Sequence, residues 1–375
     1  MSAPASSAAT FAQTYRAPWW LPGGHLQTIW AAVRSRRLDG QAPEWCRERW
    51  TTPDQDFVDV DWLQDGRSSA EPPELSRTPL LVLFHGLEGS SASQYAQAFA
   101  CLARQRNWRF AVPHFRGCSG EVNLAPRAYH SGDHQEIDWI LQRFKARHGG
   151  PLLAVGVSLG GNALMRWAGE QGGEARRTVQ ALASVCSPLD LTAGGQAMGR
   201  GFNRLVYTPM FLKTMVPKAL DKLAQHPGLF ERDTLLRARD LYDFDNVFTA
   251  PLHGFGNTDA YWREASAKPL LGQVQVPALA LNALNDPFIP AWSLPKPAEV
   301  SPFVTLWQPR QGGHVGFPAS AGGWLASHVL AMPTAVAQFL AQHLPASRGR
   351  SAESHGLQHD TIGSAGSFPL GPLHG

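Results

Sequence analysis

No run in this chain approaches the roughly 18 apolar residues that a membrane-spanning helix needs, so a helical membrane domain is excluded on sequence grounds. The opening MSAPASSAATFAQTYRAPWW has no basic stretch followed by an apolar one, and no secretory signal is expected. Cysteine is scarce. Cys46, Cys101, Cys118 and Cys186 show no Cys-x-x-Cys spacing, which argues against a zinc ribbon and against a disulfide-stapled secreted fold. Charge of one sign is also lacking. A formal net charge of +3, with Lys and Arg scattered apart from short groups such as Arg34, Arg36 and Arg37, does not make a nucleic-acid footprint. The expected setting is the cytoplasm, with neither nucleic acid nor stable membrane insertion.

At 375 residues and 43% hydrophobic, the chain can bury a large core, and one α/β domain with an inserted cap is expected. Residues 1–17 are rich in Ala and Ser without a period and are expected to be flexible. PWWLPGGHLQTIW, 18–30, carries aromatics costly to leave in water and should pack against the body, which runs to about residue 345. Beyond it, 346–375 is rich in Ser, Gly, His and Pro and reads as a disordered tail.

The most informative stretch is LLAVGVSLGGNALMRWAG, 152–169: an apolar strand, a Gly-x-Ser-x-Gly turn, then a helix. That order is what a nucleophile elbow needs, because the strand must reverse into a helix with one side chain left outward. Ser158 is that side chain. The turn also places the Leu159 N–H at a helix N-terminus, where unpaired donors favour developing negative charge. Upstream, the apolar run 80–84 reads as a strand covered on both faces and stops at His85 and Gly86. In hydrolases with such an elbow, a backbone N–H just past that glycine gives the second oxyanion donor, here Leu87.

The remaining pattern alternates strands and helices. Alternation over 50–63 suggests early antiparallel strands, 64–78 a surface loop, and 91–106 and 129–148 helices. WRFAVPHFRGCSG, 108–120, reads as a short strand ending in a Gly-rich loop, and further strands are expected at 151–156, 178–185, 278–281 and 304–307, with an amphipathic helix at 330–344. His130, Asp133, His134 and Asp138 sit close together, and His130 with His134 at i,i+4 could hold a metal; a polar helix start explains them without one, and no metal is expected. From about 194 to 271 the pattern is helical but interrupted by Pro209, Pro217, Pro227 and Pro251, and rich in aromatics. An insertion there would form a cap over the nucleophile.

A carboxylate at the end of a strand on the elbow's edge can reach a histidine, which favours Asp286; Asp190, after the preceding strand, is the competitor. His314, in the glycine-rich loop QPRQGGHVGF, completes the order Ser, Asp, His.

Together PWWLPGGHLQTIW, LFHGLEGSS, HFRGCSGEVN with RAYHSGD, GVSLGGN, DFDNVFTAPLHGFGNTDAYW, LNALNDPFIP and GGHVGF resemble the YheT-like branch of the α/β-hydrolases, the AB hydrolase 4 family, over roughly residues 18–343. The resemblance implies an α/β-hydrolase fold: a mostly parallel central sheet, helices on both faces and an inserted helical cap. It also implies a serine carboxylester hydrolase with a charge-relay triad falling on Ser158, Asp286 and His314, acting on a small-molecule ester without a cofactor. Eukaryotic relatives act on lipid esters. Acyl transfer, thioester hydrolysis and a silent binding module on the same fold remain as alternatives.

Overall fold

The computed structural model describes residues 15–34, 42–64, 77–321 and 327–345. Most of the expected N-terminal segment, most of the 64–78 loop and the whole 346–375 tail lie outside them. Eight strands form one sheet: β1 Glu44–Thr51, β2 Phe57–Gln64, β3 Leu80–Phe84, β4 Arg109–Pro113, β5 Leu152–Val157, β6 Ala181–Val185, β7 Ala278–Leu281 and β8 Val304–Trp307. Their spatial order is β1-β2-β4-β3-β5-β6-β7-β8. The β1–β2 and β2–β4 pairs are antiparallel, and every pair from β4 to β8 is parallel.

The sequences of the strands account for their places. LLVLF, LLAVGV and ALASV are buried at every position, as central strands covered on both faces must be. In β3, Leu80, Val82 and Phe84 pack with helices α3 (His134–Arg147) and α4 (Leu159–Gln171). Leu81 and Leu83 pack on the opposite face with α2 (Gln94–Gln105) and α8 (Ala331–Ala341). Burying each such side chain contributes about 1.5–3 kcal/mol, so truncating Leu83 to Ala in this two-sided core would cost roughly 2–5 kcal/mol. At the sheet edge, the acidic residues that interrupt β2 are explained by register. Asp61 and Asp59 stand opposite Arg47 and Arg49 of β1 and pair with them at 2.7 and 2.8 Å.

Several boundaries depart from the sequence reading. The antiparallel edge begins at Glu44, earlier than the alternation from Trp50 suggests, because β1 spends its exposed face on charge rather than on apolar spacing. Helix α3 starts at His134 and not at 129, since Asp133 caps it by accepting from the Glu136 N–H at 3.3 Å. Residues 175–178 close a short helix before β6 begins at Ala181. A two-stranded ribbon, Ala319–Ser320 with Ser327–His328, is not apparent in the sequence.

Between β6 and β7 the chain is mostly helical: α5 Leu191–Met198, α6 Gly201–Gln225, a π-helical turn Asp245–Thr249 and α7 Thr258–Ala265. Pro209 and Pro217 were expected to interrupt the helical pattern, yet α6 runs through both as one 25-residue helix. Each proline removes one intrahelical bond, while Tyr207, Thr208, Ala219 and Lys222 anchor a buried side of the helix. Near the start of the chain, α1 (Gly23–Arg34) packs on the edge that carries the loops after β7 and β8. Among the described residues no helix is long and apolar enough to cross a membrane.

Candidate active site

Because β3 through β8 run parallel, the segments following β3, β5, β6, β7 and β8 all emerge on one edge, and the candidate residues converge there. Strand β5 ends at Val157, and α4 begins at Leu159, leaving Ser158 alone to make the reversal at φ 52° and ψ −118°. The close approach around it admits only glycine. A Cβ at Gly156 would lie 2.5 Å from the Gly160 carbonyl oxygen, and one at Gly160 would lie 2.5 Å from that of His85. Cys186, Val315 and Phe317 also hold positive φ nearby in the chain's site-bearing loops. Each such residue costs on the order of 1–3 kcal/mol, and strain of this kind clusters where a fold fixes functional atoms.

Ser158 Oγ lies 3.0 Å from His314 Nε2, and His314 Nδ1 lies 2.9 Å from Asp286 Oδ2. A carboxylate can only accept, so Nδ1 carries the proton and the Nε2 lone pair faces the serine hydroxyl. The second oxygen of Asp286 accepts the Phe288 N–H at 2.8 Å, and the side chain is fully buried. The Phe288 ring stacks on the imidazole with centroids 4.2 Å apart. Asp190 is elsewhere employed: it caps α5 by accepting from the Ala193 N–H at 3.0 Å.

The loop after β3 is held rigid. His85 is buried, its Nδ1–H donating to the Gly86 carbonyl at 2.8 Å and its Nε2 accepting the Phe115 N–H at 3.0 Å. Burial lowers its pKa to about 3, so the ring stays neutral and keeps both bonds. The Gly86 N–H donates to the Tyr95 hydroxyl at 2.9 Å, and the Glu88 N–H to the Tyr129 hydroxyl at 3.0 Å. Both neighbours of Leu87 are therefore pinned. Among the described residues, the N–H groups of Leu87 and Leu159 take no protein acceptor, and both residues line the same cavity as Ser158 and His314.

That cavity is apolar over much of its wall, where Met198, Phe211, Met215 and Phe248 come from the insertion between β6 and β7. Its polar residues are mostly engaged. Lys218 pairs with Glu88 at 2.8 Å, and Lys222 donates to the Ala125 carbonyl at 3.0 Å and to Gln225 at 2.9 Å. Burial draws the Lys222 ammonium down to about 8 and pushes the Asp245 carboxyl up to about 6, the latter against a hydrogen bond from the Trp262 indole at 2.9 Å.

Of the described residues considered for a metal, no three come together, although His130 Nε2 lies 4.0 Å from Asp133 Oδ2. His130 packs against the His253 ring at 4.3 Å, and burial pushes its pKa down to about 3. Asp133 pairs with Arg127 and caps α3. His134 approaches the Gly132 carbonyl at 3.2 Å, and Asp138 accepts from the Trp167 indole at 2.9 Å.

Residues 79–320 match the family model described as the alpha/beta hydrolase fold. The chain belongs to the alpha/beta hydrolases. Within this family it is 36% identical over 325 residues to the Escherichia coli (strain K12) protein YheT, whose name carries the word esterase, covering 86% of this chain and 91% of that one. It is 30% identical to the Mus musculus phospholipase ABHD3 over 71% of this chain and 64% of that protein's length. Among solved structures, DcsB in complex with a substrate analogue superposes with a TM-score of 0.50 at 11% identity, covering 80% of this chain and 99% of that one, a likeness of fold alone. The sequence motifs pointed to Ser158, Asp286, His314, Leu87 and Leu159, which the structure brings to one edge of the sheet, but not to the residues that bond around them. Tyr95 and Tyr129, which pin the donor loop, and Gln27, Thr28 and Asn285, which bond the histidine loop, gave no signal beyond lying inside quoted motifs or helical runs.

Proposed function

We propose that this protein is a serine hydrolase of carboxylic esters, with Ser158 as nucleophile, His314 as general base and acid, and Asp286 as the group that fixes the imidazole tautomer. The observation carrying this reading is the hydrogen-bonded line from an accept-only buried carboxylate through His314 to the hydroxyl of a serine held on a strand-to-helix reversal.

His314 Nε2 takes the Oγ proton as Oγ bonds to the ester carbonyl carbon, and the carbonyl electron pair moves onto oxygen. The N–H groups of Leu87 and Leu159 receive that oxyanion as preorganised donors, each the kind of group whose loss typically lowers turnover by ~10²–10³. Collapse of the tetrahedral intermediate expels the alcohol, protonated by the imidazolium, and leaves an acyl-enzyme. Water then gives its proton to Nε2, attacks the acyl carbon and releases the acid with Oγ reprotonated.

The insertion between β6 and β7, about 194–271, acts as a cap, and the apolar wall it gives the cavity suits short- to medium-chain acyl or lipid esters. The names of the relatives, an esterase and a phospholipase, are in keeping with ester cleavage. The test is hydrolysis of a p-nitrophenyl ester series together with fluorophosphonate labelling. Ser158→Ala should abolish both with the circular dichroism unchanged, and an alanine variant that still turned over would require another nucleophile.

A further inference from the structure

The segment PWWLPGGHLQTIW has no part in the reaction just described, yet α1, which it forms, lies against both loops that carry the proposed acid and base. The contact is backbone on backbone. A Cβ at Gly24 would fall 1.8 Å from the Asn285 carbonyl oxygen, one at Gly313 would fall 2.7 Å from that of Gly24, and one at Gly316 would fall 2.5 Å from that of Gln27.

At this separation the polar side chains of α1 reach the loops' backbone. Gln27 is wholly buried; its Nε2 donates to the Leu21 carbonyl at 2.9 Å, which fixes the amide and turns Oε1 the other way. Oε1 accepts from Asn285 Nδ2 at 3.0 Å and from the Gly312 N–H at 2.9 Å. Asn285, held in this way beside Asp286, accepts the Gly313 N–H through its own Oδ1 at 3.0 Å. Thr28 Oγ donates to the Gly24 carbonyl at 2.7 Å and accepts the His314 N–H at 2.8 Å. Three successive N–H groups, those of residues 312, 313 and 314, thus end on α1 or on a side chain that α1 holds.

We propose that α1 is the positioning element of the site, with Gln27 and Thr28 as positioning residues that set the spacing between the Asp286 loop and the His314 loop. This rests on the reading of Ser158, Asp286 and His314 as a triad. The need for such a clamp follows from the loop's composition. Gly312 and Gly313 sit at φ 154° and 62°, conformations glycine reaches easily and leaves as easily. The imidazole must meanwhile bridge two partners at 2.9 and 3.0 Å. A misplacement of about 1 Å in such a geometry costs on the order of 10²-fold in rate. The same helix touches the cap: His25 Nδ1 lies 3.2 Å from the Tyr207 hydroxyl, and the Tyr207 ring packs on Phe288, which stacks on His314.

The experiment uses the full chain carrying Thr28→Val, which keeps the side chain's shape and removes the acceptor, Thr28→Ser, which restores it, and Gln27→Leu. Turnover of a p-nitrophenyl ester is measured per active site titrated with fluorophosphonate, so that an unfolded fraction does not count, and thermal stability is recorded alongside. The expected result is a fall in kcat of ~10- to 100-fold in Thr28→Val and Gln27→Leu with KM unchanged, slower labelling to match, and near-complete recovery of kcat in Thr28→Ser. A helix that merely packs would give lower melting temperatures with wild-type kcat per titrated site, and that result overturns the proposal. Ser158→Ala and His314→Gln run in parallel separate the two readings. If they keep turnover, the triad reading fails; if they are inactive while the α1 variants turn over at the wild-type rate, only the positioning role fails.

Discussion

Asp286 offers each carboxylate oxygen to a fixed donor, His314 on one side and the Phe288 N–H on the other, so the orientation of the imidazole is set from behind. Replacing that carboxylate by an amide of the same shape allows the wrong tautomer, in which Nδ1 accepts and Nε2 points its proton at the serine. Asp286→Asn should therefore lower kcat by ~10⁴ while the fold persists. Asp190→Ala is the matched control: loss of the α5 cap should cost about 1 kcal/mol of stability and leave kcat unchanged. Steady-state kinetics and thermal melts of the two variants check the pair. The sequence favoured Asp286 but kept Asp190 as a competitor, because each follows a strand on the same edge. What separates them is that residue 190 is followed at once by a helix needing a cap, a use of aspartate as common as any catalytic one. The serine and histidine were more legible, since an elbow and a glycine-rich loop leave composition marks, whereas Gln27 and Thr28 look like any polar residues of a helix.

At the scale of elements, the central strands announced themselves because burial on both faces writes a continuous apolar run, as in 80–84 and 152–157. The edge strand β1 did not, since its register with β2 is carried by Arg–Asp pairs that a hydrophobic count overlooks. Helix α6 misled in the opposite way: two prolines suggest breaks, but a long helix buried on one side tolerates them. The insertion it belongs to leads to a prediction about substrate length. Cavity walls built by Phe211, Met215 and Phe248 should reward each added methylene by up to ~0.8 kcal/mol until the pocket is full. Specificity constants for p-nitrophenyl esters should climb with acyl length and then fall, and Phe211→Ala should move the fall to longer chains. A profile flat from acetate to palmitate would show the insertion to be a structural subdomain only.

Across the whole molecule, the β1–β2 turn is tied to the cap through one buried carboxylate. Asp56 accepts from Asn123, from the Leu124 and Ala125 N–H groups and from Arg116, while Lys222 of α6 donates to the Asn123 and Ala125 carbonyls of the same loop. Burial pushes the Asp56 carboxyl upward, but hydrogen bonds from Asn123, Leu124, Arg116 and Phe57 outweigh it and hold the pKa at about 2. Since an unfolded aspartate titrates near ~3.9, the folded value is depressed. The resulting stability is present above about pH 4 and is lost as pH falls through about 2. Unfolding free energies should drop across that interval, and Asp56→Asn should be less stable at neutral pH with a shallower acid limb. Urea titrations at stepped pH values provide the check.

The bond from Thr28 to the His314 N–H joins residues 286 positions apart. On a ribosome adding ~5–20 residues per second, α1 emerges roughly a quarter of a minute to a minute before the loop it meets. Trp30 and Ala31 wait first for Ala98 of α2 and then, past residue 314, for Val329 to cover them. A nascent chain halted between residues 158 and 314 holds the elbow serine but not the histidine that faces it. Under the function proposed above, α1 must therefore close onto the loop after β8 before a copy can turn over a single ester.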